Sequence, residues 1–386
     1  MGASYYIDIN GNKYDGFWNI PEGAAFDMLD ISWECFTELP KKLSTLTVRK
    51  FNCWGTNIAS LKGLPKGLKE LICGRTRITS IKGLPEGLES LFCSCTSIDS
   101  IEGLPESLKE LDCGSTLITS LKGLPRGLKK LYCSNTRINS LEGLPEGLEK
   151  LSCGSTLITS FRGLPKSLKE LYCSDTQITS FEGLPEGLEE LWCSGTRITS
   201  LEGLPKGLKR LYCCNTRITS LKGLPEGLEV LYCDDTDITS FEGVPKSVKK
   251  ISCAGCKKIN SFEGLPEGLE EFKCYHANIT SLEGLPEGLK KLNCHSTPIS
   301  SLEGVPRGIK EIWCFGCDKI EYIPDYIPDE VICGLSKKKI AECKANWRKK
   351  HGKELIPEKQ EAGIVNRLKE VLVAYSANII NKVNEK

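Results

Sequence analysis

Apolar and polar positions recur along the chain with a period of twenty residues. In one unit, residues 64–83, the positions that stay apolar are Leu64, Leu68, Leu71, Cys73, Ile78 and Ile81. Leu71 and Cys73 alternate with variable neighbours, and this two-residue alternation predicts a short β-strand with one buried face. Because each copy carries the same alternation, we expect the strands to stack in parallel, about 4.8 Å apart.

The cysteine of the Leu-x-Cys pair marks the extent of the repeat. The 14 clear copies carry Cys53, Cys73, Cys93, Cys113, Cys133, Cys153, Cys173, Cys193, Cys213, Cys233, Cys253, Cys274, Cys294 and Cys314. The spacing is twenty residues up to Cys253 and then slips by one, and Cys333 is a degenerate fifteenth member. Such self-similarity predicts a solenoid in which each coil buries its apolar edge against its neighbours. A glycine followed two residues later by proline, as at Gly83 and Pro85, excludes long helices from the return path.

One copy matches the pattern L-x-x-L-x-L-x-x-N-x-L with Leu68, Leu71, Cys73, Thr76 and Ile78. Residues 46–333 therefore resemble the leucine-rich-repeat family. The Leu-Pro return segment is similar to the short-repeat branch found in bacterial effectors and in related proteins of amoebae and large viruses. The resemblance implies a leucine-rich-repeat solenoid with a parallel β-sheet on its concave face and few or no helices on its convex face.

Two repeat positions depart from the family pattern. Cys replaces the second Leu or Val of the strand, and Thr replaces the Asn whose side chain bonds to the backbone along the turn in the family. We expect the hydroxyls of the Thr column, from Thr56 to Thr236, to make such bonds more weakly. The coil geometry is expected to differ in detail for this reason.

We interpret most of the cysteines as packing residues of the core. The chain has 21, of which fifteen lie on the repeat column, and we interpret the column thiol as a small buried group where a narrow coil has no room for Leu. Neighbouring side chains run parallel in a stack, and the amino-terminal segment lacks the order of a secretory signal. We therefore expect free, reduced thiols.

Zinc binding is the alternative for two cysteine pairs. Cys253 and Cys256, and likewise Cys314 and Cys317, have the C-x-x-C spacing of zinc ligands. The pairs lie three repeats apart, about 15 Å, which is too far for shared tetrahedral ligation. Each pair coincides with a one-residue insertion, which favours a structural bulge. We expect no metal and no cofactor.

The charge balance argues against a strongly basic nucleic-acid binder at the level of the whole chain. Among 386 residues, 51 are Lys or Arg and 50 are Asp or Glu. No stretch approaches the roughly 18 apolar residues of a membrane span. These features predict a cytoplasmic protein without a membrane span, in the cytoplasm of a host cell if it is an effector or viral protein.

Charges on the return path alternate in sign from coil to coil. Between residues 126 and 249, a coil with two cations at these positions is followed by a coil with two glutamates, which creates a 40-residue super-repeat. In a stack, each cation pair then lies between anion pairs. We interpret this as control of register and solubility, because an exposed ion pair contributes only about 0 to 1 kcal/mol, and we assign it no role in ligand binding.

The flanks of the repeat differ from it in composition. Residues 1–45 are predicted to form an amino-terminal cap with a hairpin, and residues 46–335 the solenoid. Residues 336–386 hold 13 Lys or Arg against 6 Glu, a net charge of +7 (13 − 6), and have apolar residues at helical spacing from Ile364 to Val383. This basic helical module is either a cap with a solvated face or an attachment to nucleic acid or an anionic membrane.

The candidate binding residues lie on the outward strand column and on a variable column beside it. The aromatic members of the first are Phe92, Tyr132, Tyr172, Trp192, Tyr212, Tyr232 and Trp313. The basic members of the second are Arg77, Arg137, Arg197 and Arg217. Aromatic side chains suit strands and stack across them, which is the structural interpretation. The alternative is a recognition surface, since Trp, Tyr and Arg dominate interface hot spots.

The leading functional hypothesis is a non-enzymatic scaffold that binds a protein or peptide through the concave sheet. One alternative is nucleic-acid binding by the aromatic and Arg columns with the basic tail. The other follows from the resemblance, because some effector relatives carry a cysteine-dependent ubiquitin ligase domain after their repeats, and this chain would be a fragment without it. Cys343 has no neighbouring catalytic His or Asp in an evident arrangement, so we expect no enzymatic activity. The oligomeric state stays open.

Overall fold

The computed structural model describes residues 5–352, and the apolar pattern from Ile364 to Val383 lies outside them. The strands are β1 (Tyr5–Ile7), β2 (Lys13–Asp15), β3 (Ala25–Asp30), β4 (Thr47–Asn52), β5 (Glu70–Ile72), β6 (Ser90–Phe92), β7 (Glu110–Asp112), β8 (Lys130–Tyr132), β9 (Lys150–Ser152), β10 (Glu170–Tyr172), β11 (Glu190–Trp192), β12 (Arg210–Tyr212), β13 (Val230–Tyr232), β14 (Lys250–Ser252), β15 (Glu271–Lys273), β16 (Lys291–Asn293), β17 (Glu311–Trp313) and β18 (Ile332–Cys333). Helix α1 spans Lys337–Lys350, and short 3₁₀ turns lie at Phe17–Asn19, Lys41–Thr45 and Asp329–Val331.

Strands β3 to β18 form one 16-stranded parallel sheet in chain order. Each coil adds one strand, and Leu171 of β10 lies opposite Leu191 of β11. The one-residue slip in the sequence does not disturb the sheet, because Ile251 simply pairs with Phe272, 21 residues later. The predicted solenoid of parallel strands is thereby confirmed, and so is the scarcity of helices between residues 5 and 352.

The interior of every coil is filled by the columns that never turn polar. Leu71, Cys73 and Ile78 have no exposed surface, and the backbone N–H of Cys73 donates to the Phe92 carbonyl oxygen of the next coil at 2.8 Å. Phe161, Phe181 and Phe241 replace Ile or Leu in the column that contains Leu61 and Ile81, and they remain fully buried. The core is one continuous cluster along the stack, so each coil depends on its neighbours for burial.

The Thr column closes the turn after most strands, as expected. The Thr76 hydroxyl donates to the carbonyl oxygen of Cys73 at 2.7 Å, and Thr196 bonds to Cys193 in the same way at 2.6 Å. The turn also needs one residue with a left-handed backbone, such as Arg75 with φ 52° or Asp235 with φ 52°. Thr therefore performs locally the backbone bonding that Asn performs in the family pattern.

The return path carries the predicted charge ladder. Lys129 and Glu149, on successive coils, form an ion pair of 2.8 Å. Glu189 lies between Lys169 at 3.4 Å and Lys209 at 2.9 Å. These side chains are about half exposed, so each pair contributes little to stability. Their regular alternation instead keeps like charges from facing each other across coils.

The amino-terminal segment contributes a strand to the main sheet. Strands β1 and β2 form an antiparallel pair where the hairpin was expected, but β3 pairs in parallel with β4 and is the first strand of the solenoid sheet. The sheet thus begins inside the 1–45 segment. The sequence conceals this because Phe26 and Leu29, the buried residues of β3, lie three positions apart and carry no Leu-x-Cys pair.

Helix α1 packs against the last coils. Ser336 caps its amino terminus by accepting a bond from the Lys339 N–H at 3.2 Å. Ile340, Cys343 and Trp347 lie on its buried side. Seven of the 13 basic residues of the 336–386 segment lie within α1. No helix among residues 5–352 has the length and apolar character needed to cross a lipid bilayer.

Glu303 fastens α1 to the solenoid. Its carboxylate accepts a hydrogen bond from Trp347 Nε1 at 3.0 Å, pairs with Lys350 Nζ at 3.0 Å, and hydrogen-bonds with His351 Nε2 at 2.7 Å. Partial burial raises the pKa of this carboxyl group, but the bonds from Lys350, His351 and Trp347 outweigh burial and leave the pKa below its ordinary value. The carboxylate form therefore stabilises the docked helix.

We expect Glu303→Gln to loosen α1 at neutral pH, with a loss of about 1 kcal/mol in the free energy of its local opening. Because the folded pKa is depressed, the difference between variant and wild type is fully present above the ordinary carboxyl value of 4.5 and disappears as the pH falls through the folded pKa. Hydrogen exchange of residues 337–350 measures it. Glu283→Gln, at the equivalent exposed position one coil earlier, is the control, and equal effects of the two substitutions contradict the assignment.

Candidate binding face

The outer face of the sheet is built from the first and third residues of each short strand, because the middle residue points into the core. In β10 to β13 the third residue is aromatic, and we call these four side chains the aromatic row: Tyr172, Trp192, Tyr212 and Tyr232. Along this order the ring centroids are 5.6, 3.7 and 5.1 Å apart. Trp192 is stacked between two tyrosines, with interplanar angles of 24° and 16°, so both faces of its ring are covered.

A lysine lies at each end of the aromatic row. Lys150 Nζ is 4.8 Å from the centroid of the Tyr172 ring, and Lys273 Nζ is 5.2 Å from the Tyr232 ring and 3.3 Å from its hydroxyl oxygen. Lys273 reaches across β14, where the third residue is the small Ser252. Ammonium groups over ring faces are attracted by the ring quadrupole, so both ends of the row are held by cations.

Glu190 organises the middle of the row. Its side chain is only 11% exposed, and it accepts hydrogen bonds from Trp192 Nε1 at 2.6 Å, from Arg210 Nε at 2.6 Å and from the Tyr172 hydroxyl at 3.4 Å. Burial raises the pKa of this carboxyl group, but the bonds from Trp192 and Arg210 outweigh it and lower the pKa overall. The carboxylate fixes the plane of the indole, which in turn orders the tyrosines stacked on it.

We expect Glu190→Ala to lower the free energy of unfolding by about 2 kcal/mol, because Trp192 Nε1 and Arg210 lose their shared acceptor. Glu190→Gln retains an oxygen for the indole N–H and is expected to cost about half as much. Chemical denaturation of both variants measures the difference. Glu229→Ala, an exposed return-path position, should change stability by less than about 0.5 kcal/mol, and an equal loss in all three variants contradicts a specific role for Glu190.

The other predicted aromatic residues lie on the same face but apart from the row. Asp112 separates Phe92 from Tyr132, and Ser152 separates Tyr132 from Tyr172. Trp313, 37% exposed, follows Lys273 and Asn293 at the far end and borders a shallow depression with these two residues. Within residues 5–352, no ring contact joins Phe92, Tyr132 or Trp313 to the aromatic row.

The arginine column follows the turn that ends each strand. Arg77, Arg137, Arg197 and Arg217 are exposed and come after the left-handed turn. The backbone N–H of Arg197 donates to the carbonyl oxygen of Ile178 in the preceding coil at 2.9 Å. Across the described part of the chain, no hydrogen bond, ion pair or ring contact links these four side chains to the aromatic row. The structure therefore does not unite the two columns that the sequence analysis grouped.

The first residue of each strand is the feature that sequence reasoning missed. Lys150 pairs with Glu170 at 2.7 Å, and Arg210 pairs with Glu190 at 2.6 Å, all on the same face as the rings. The available signal was the strand alternation itself, which predicts that residues on both sides of the inward Leu face outward. These charges, and not the arginine column, surround the row.

The 21 cysteines are all free, and those of the repeat column are buried apart from Cys333, which is partly exposed. Burial raises the pKa of column thiols, for example that of Cys153 to about 12, so these thiols stay protonated at neutral pH. Between residues 5 and 352, no three His, Cys, Asp or Glu side chains are grouped as metal ligands. Cys343 is buried, and its thiol donates to the Ile320 carbonyl oxygen at 3.3 Å.

A single parallel sheet, one short strand per coil and a Leu-x-x-Leu-x-Cys-x-x-Thr-x-Ile consensus define a leucine-rich-repeat solenoid. The family model described as Leucine Rich repeats (2 copies) matches residues 166–206, while curated proteins give no match. The chain therefore has the leucine-rich-repeat fold, and structures of bacterial effectors share this fold. This fold is typical of protein-interaction scaffolds.

Solved structures of the same fold have low sequence identity to the chain. YopM from Yersinia enterocolitica WA-314 is 20% identical, with a TM-score of 0.64 and coverage of 80% of this chain and 78% of YopM. The functional domain of InlJ from Listeria monocytogenes, which includes a cysteine ladder, is 23% identical, with a TM-score of 0.58 and coverage of 75% and 68%. TLR13 in its complex with ssRNA13 is 17% identical, with a TM-score of 0.56 and coverage of 76% and 50%.

Proposed function

We propose that the protein is a non-catalytic scaffold that binds a protein or peptide through the outer face of its sheet, at the aromatic row. The observation that carries the proposal is the ordered row itself, Tyr172 to Tyr232, partly exposed and held in place by Glu190 and two lysines. Large aromatic side chains that are already fixed lose little conformational entropy on binding, which makes them effective interface anchors. We also propose a reducing, cytoplasmic setting in which the thiols stay free.

The chemistry of the face favours a polypeptide over a nucleic acid. Proteins that bind single strands offer free aromatic faces to the bases and a basic groove to the phosphates. Here both faces of Trp192 are covered, and the Tyr172 face is shared with Lys150. Glu170 and Glu190 neutralise the nearby cations. What the row presents outward is ring edges and paired charges, which suit the mixed apolar and polar surface of a protein partner.

The test begins with capture of partners from a lysate by wild type and by a Tyr172→Ala, Trp192→Ala, Tyr212→Ala variant. The affinity of each candidate is then measured with purified components. We expect the triple substitution to weaken binding about 100-fold or more, because several hot-spot side chains are lost together. A Leu117→Ala, Leu157→Ala variant removes two exposed apolar side chains from the coil edge and serves as the control. We expect its affinity to stay within about threefold of wild type.

Two results contradict the proposal. The first is a partner whose affinity is the same for the wild type and for a triple variant shown to be folded by circular dichroism. The second is binding of a generic single-stranded oligonucleotide that weakens steeply with salt and depends on the row, since this is the behaviour of a nucleic-acid site.

A further inference from the structure

Two cysteines lie outside the repeat column at equivalent places. Cys256 and Cys317 occupy the position that Thr holds in most coils, and each coincides with a one-residue insertion. Each follows a column cysteine of the preceding coil, Cys233 or Cys294, by 23 residues, and the second pair repeats the first 61 residues later. All four side chains are buried.

In the first pair the thiol of Cys256 reaches into the preceding coil. Its Sγ lies 3.2 Å from the Cys233 carbonyl oxygen and 3.3 Å from the Thr236 hydroxyl. The Cys233 Sγ lies 3.3 Å from the Ser252 carbonyl oxygen. Cys256 and Cys233 are therefore in direct contact across adjacent coils, because the Cys256 sulfur touches the Cys233 backbone. In regular coils a Thr occupies the position of Cys256, so the column cysteine of the preceding coil has no second thiol beside it.

The second pair has the same construction. The Sγ of Cys317 lies 3.1 Å from the Cys294 carbonyl oxygen and 3.5 Å from the Thr297 hydroxyl. Cys317 is thus in direct contact with Cys294 of the preceding coil. Two independent insertions in the chain have therefore produced the same arrangement of a column cysteine, a Thr hydroxyl and a second cysteine.

The surroundings distinguish the two thiols of each pair. The hydrogen bond from Cys294, with help from the hydroxyl and N–H of Thr297, lowers the pKa of Cys317 to about 6 against the opposing effect of burial. Interaction with Cys317 and burial raise the pKa of Cys294 well above its ordinary value. In the other pair the pKa of Cys256 is lowered and that of Cys233 is raised well above its ordinary value. In each pair one sulfur is suited to act as the nucleophile and the other to remain a thiol.

We propose that Cys233 with Cys256, and Cys294 with Cys317, are two redox sites that react with a peroxide to form disulfides between adjacent coils. The thiolate sulfur of Cys256 or Cys317 attacks one peroxide oxygen, the O–O bond breaks, and the departing hydroxide takes up the thiol proton as water, which leaves a sulfenic acid. The partner sulfur then attacks the sulfenic sulfur. The S–O bond breaks, the S–S bond forms, and hydroxide leaves with the second proton as water. Two thiols and one peroxide thus give one disulfide and two waters.

The first redox site, Cys233 with Cys256, lies next to the candidate binding face. Cys233 directly follows Tyr232, the last ring of the aromatic row, and Cys256 belongs to the coil that carries Ser252. A disulfide at this site ties these two coils together beneath the face. The proposal does not rest on the binding function, because the chemistry depends only on the buried thiols.

The experiment treats the full chain with hydrogen peroxide, blocks the remaining thiols under denaturing conditions, and maps disulfides by peptide mass spectrometry. We expect cross-links between Cys233 and Cys256 and between Cys294 and Cys317, formed more slowly than oxidation of the exposed Cys35 and Cys95. Cys256→Thr and Cys317→Thr restore the usual residue of the Thr column. Each variant should lose its own cross-link and keep the other, so each is the matched control for the other.

Two outcomes overturn the proposal. In one, Cys35 and Cys95 are oxidised while the four paired cysteines all remain free for alkylation. In the other, disulfides join successive column cysteines and persist unchanged in both Thr variants. Because the wild type alone already yields the decisive map, a variant that fails to fold does not remove the test.

Discussion

We expect Phe241→Ala to lower the free energy of unfolding by about 3 to 5 kcal/mol, because a fully buried aromatic ring is removed from the core. The Phe241 side chain is fully buried, and its ring centroid lies 5.7 Å from that of Phe272, the inward residue of β15 two coils further on. The solenoid cannot close over the lost ring without moving two coils. Chemical denaturation followed by circular dichroism measures the change.

The comparison for this prediction is Leu157→Ala. Leu157 is 56% exposed, so its truncation should change stability by no more than about 0.5 kcal/mol. A loss below about 1 kcal/mol for Phe241→Ala is incompatible with the continuous core described above. Since most contacts of a coil are with its immediate neighbours, we also expect the unfolding transition of the Phe241 variant to broaden as the damaged coils separate from the rest.

A second large effect is expected at the glycine column of the return path. Gly304 has φ 89°, and a Cβ built there overlaps the carbonyl group of Leu282 in the preceding coil. Backbone of this kind cannot move aside as a flexible side chain does. Gly304→Ala should therefore destabilise the protein by about 3 kcal/mol, through the left-handed backbone and the overlap together. Thermal or chemical unfolding gives the value.

Gly103 provides the matched control because it isolates the backbone contribution. Its φ is 87°, but a Cβ there meets nothing within 4 Å. Gly103→Ala should cost only about 1 kcal/mol. If both substitutions cost the same, close approach of successive coils is not the reason for glycine in this column.

The fold was accessible from the sequence because its determinants are local and repeated. Leu71 and Cys73 predict an inward-facing strand in one coil, and the twenty-residue period extends the prediction to all the others. The same logic succeeded for Thr76, whose hydroxyl bonds within its own turn. It failed for β3, since Phe26 and Leu29 belong to a coil that is 22 residues from the next in register and lacks the consensus.

The candidate binding face was only partly predictable. The aromatic members of the row share one repeat position, so their alignment followed from the period. The link between Glu190 and Trp192, and that between Lys273 and Tyr232, depend on side-chain conformations that no repeat pattern encodes. The structure shows no contact between Arg197 and the row, and the left-handed Gly195 lies between Trp192 and Arg197 in the chain. Whether these residues bind a partner stays a prediction.

Because the charges on the return path alternate in sign from coil to coil, coils can be removed without bringing like charges together only in even numbers. Removal of one coil from the segment between Lys129 and Lys249 would bring two glutamate-bearing or two lysine-bearing coils into contact. Removal of two consecutive coils, 40 residues, leaves every neighbour opposite in sign. Shortened or lengthened versions should therefore be tolerated when the number of coils changes by an even number, and odd changes should leave facing charges of the same sign at the junction.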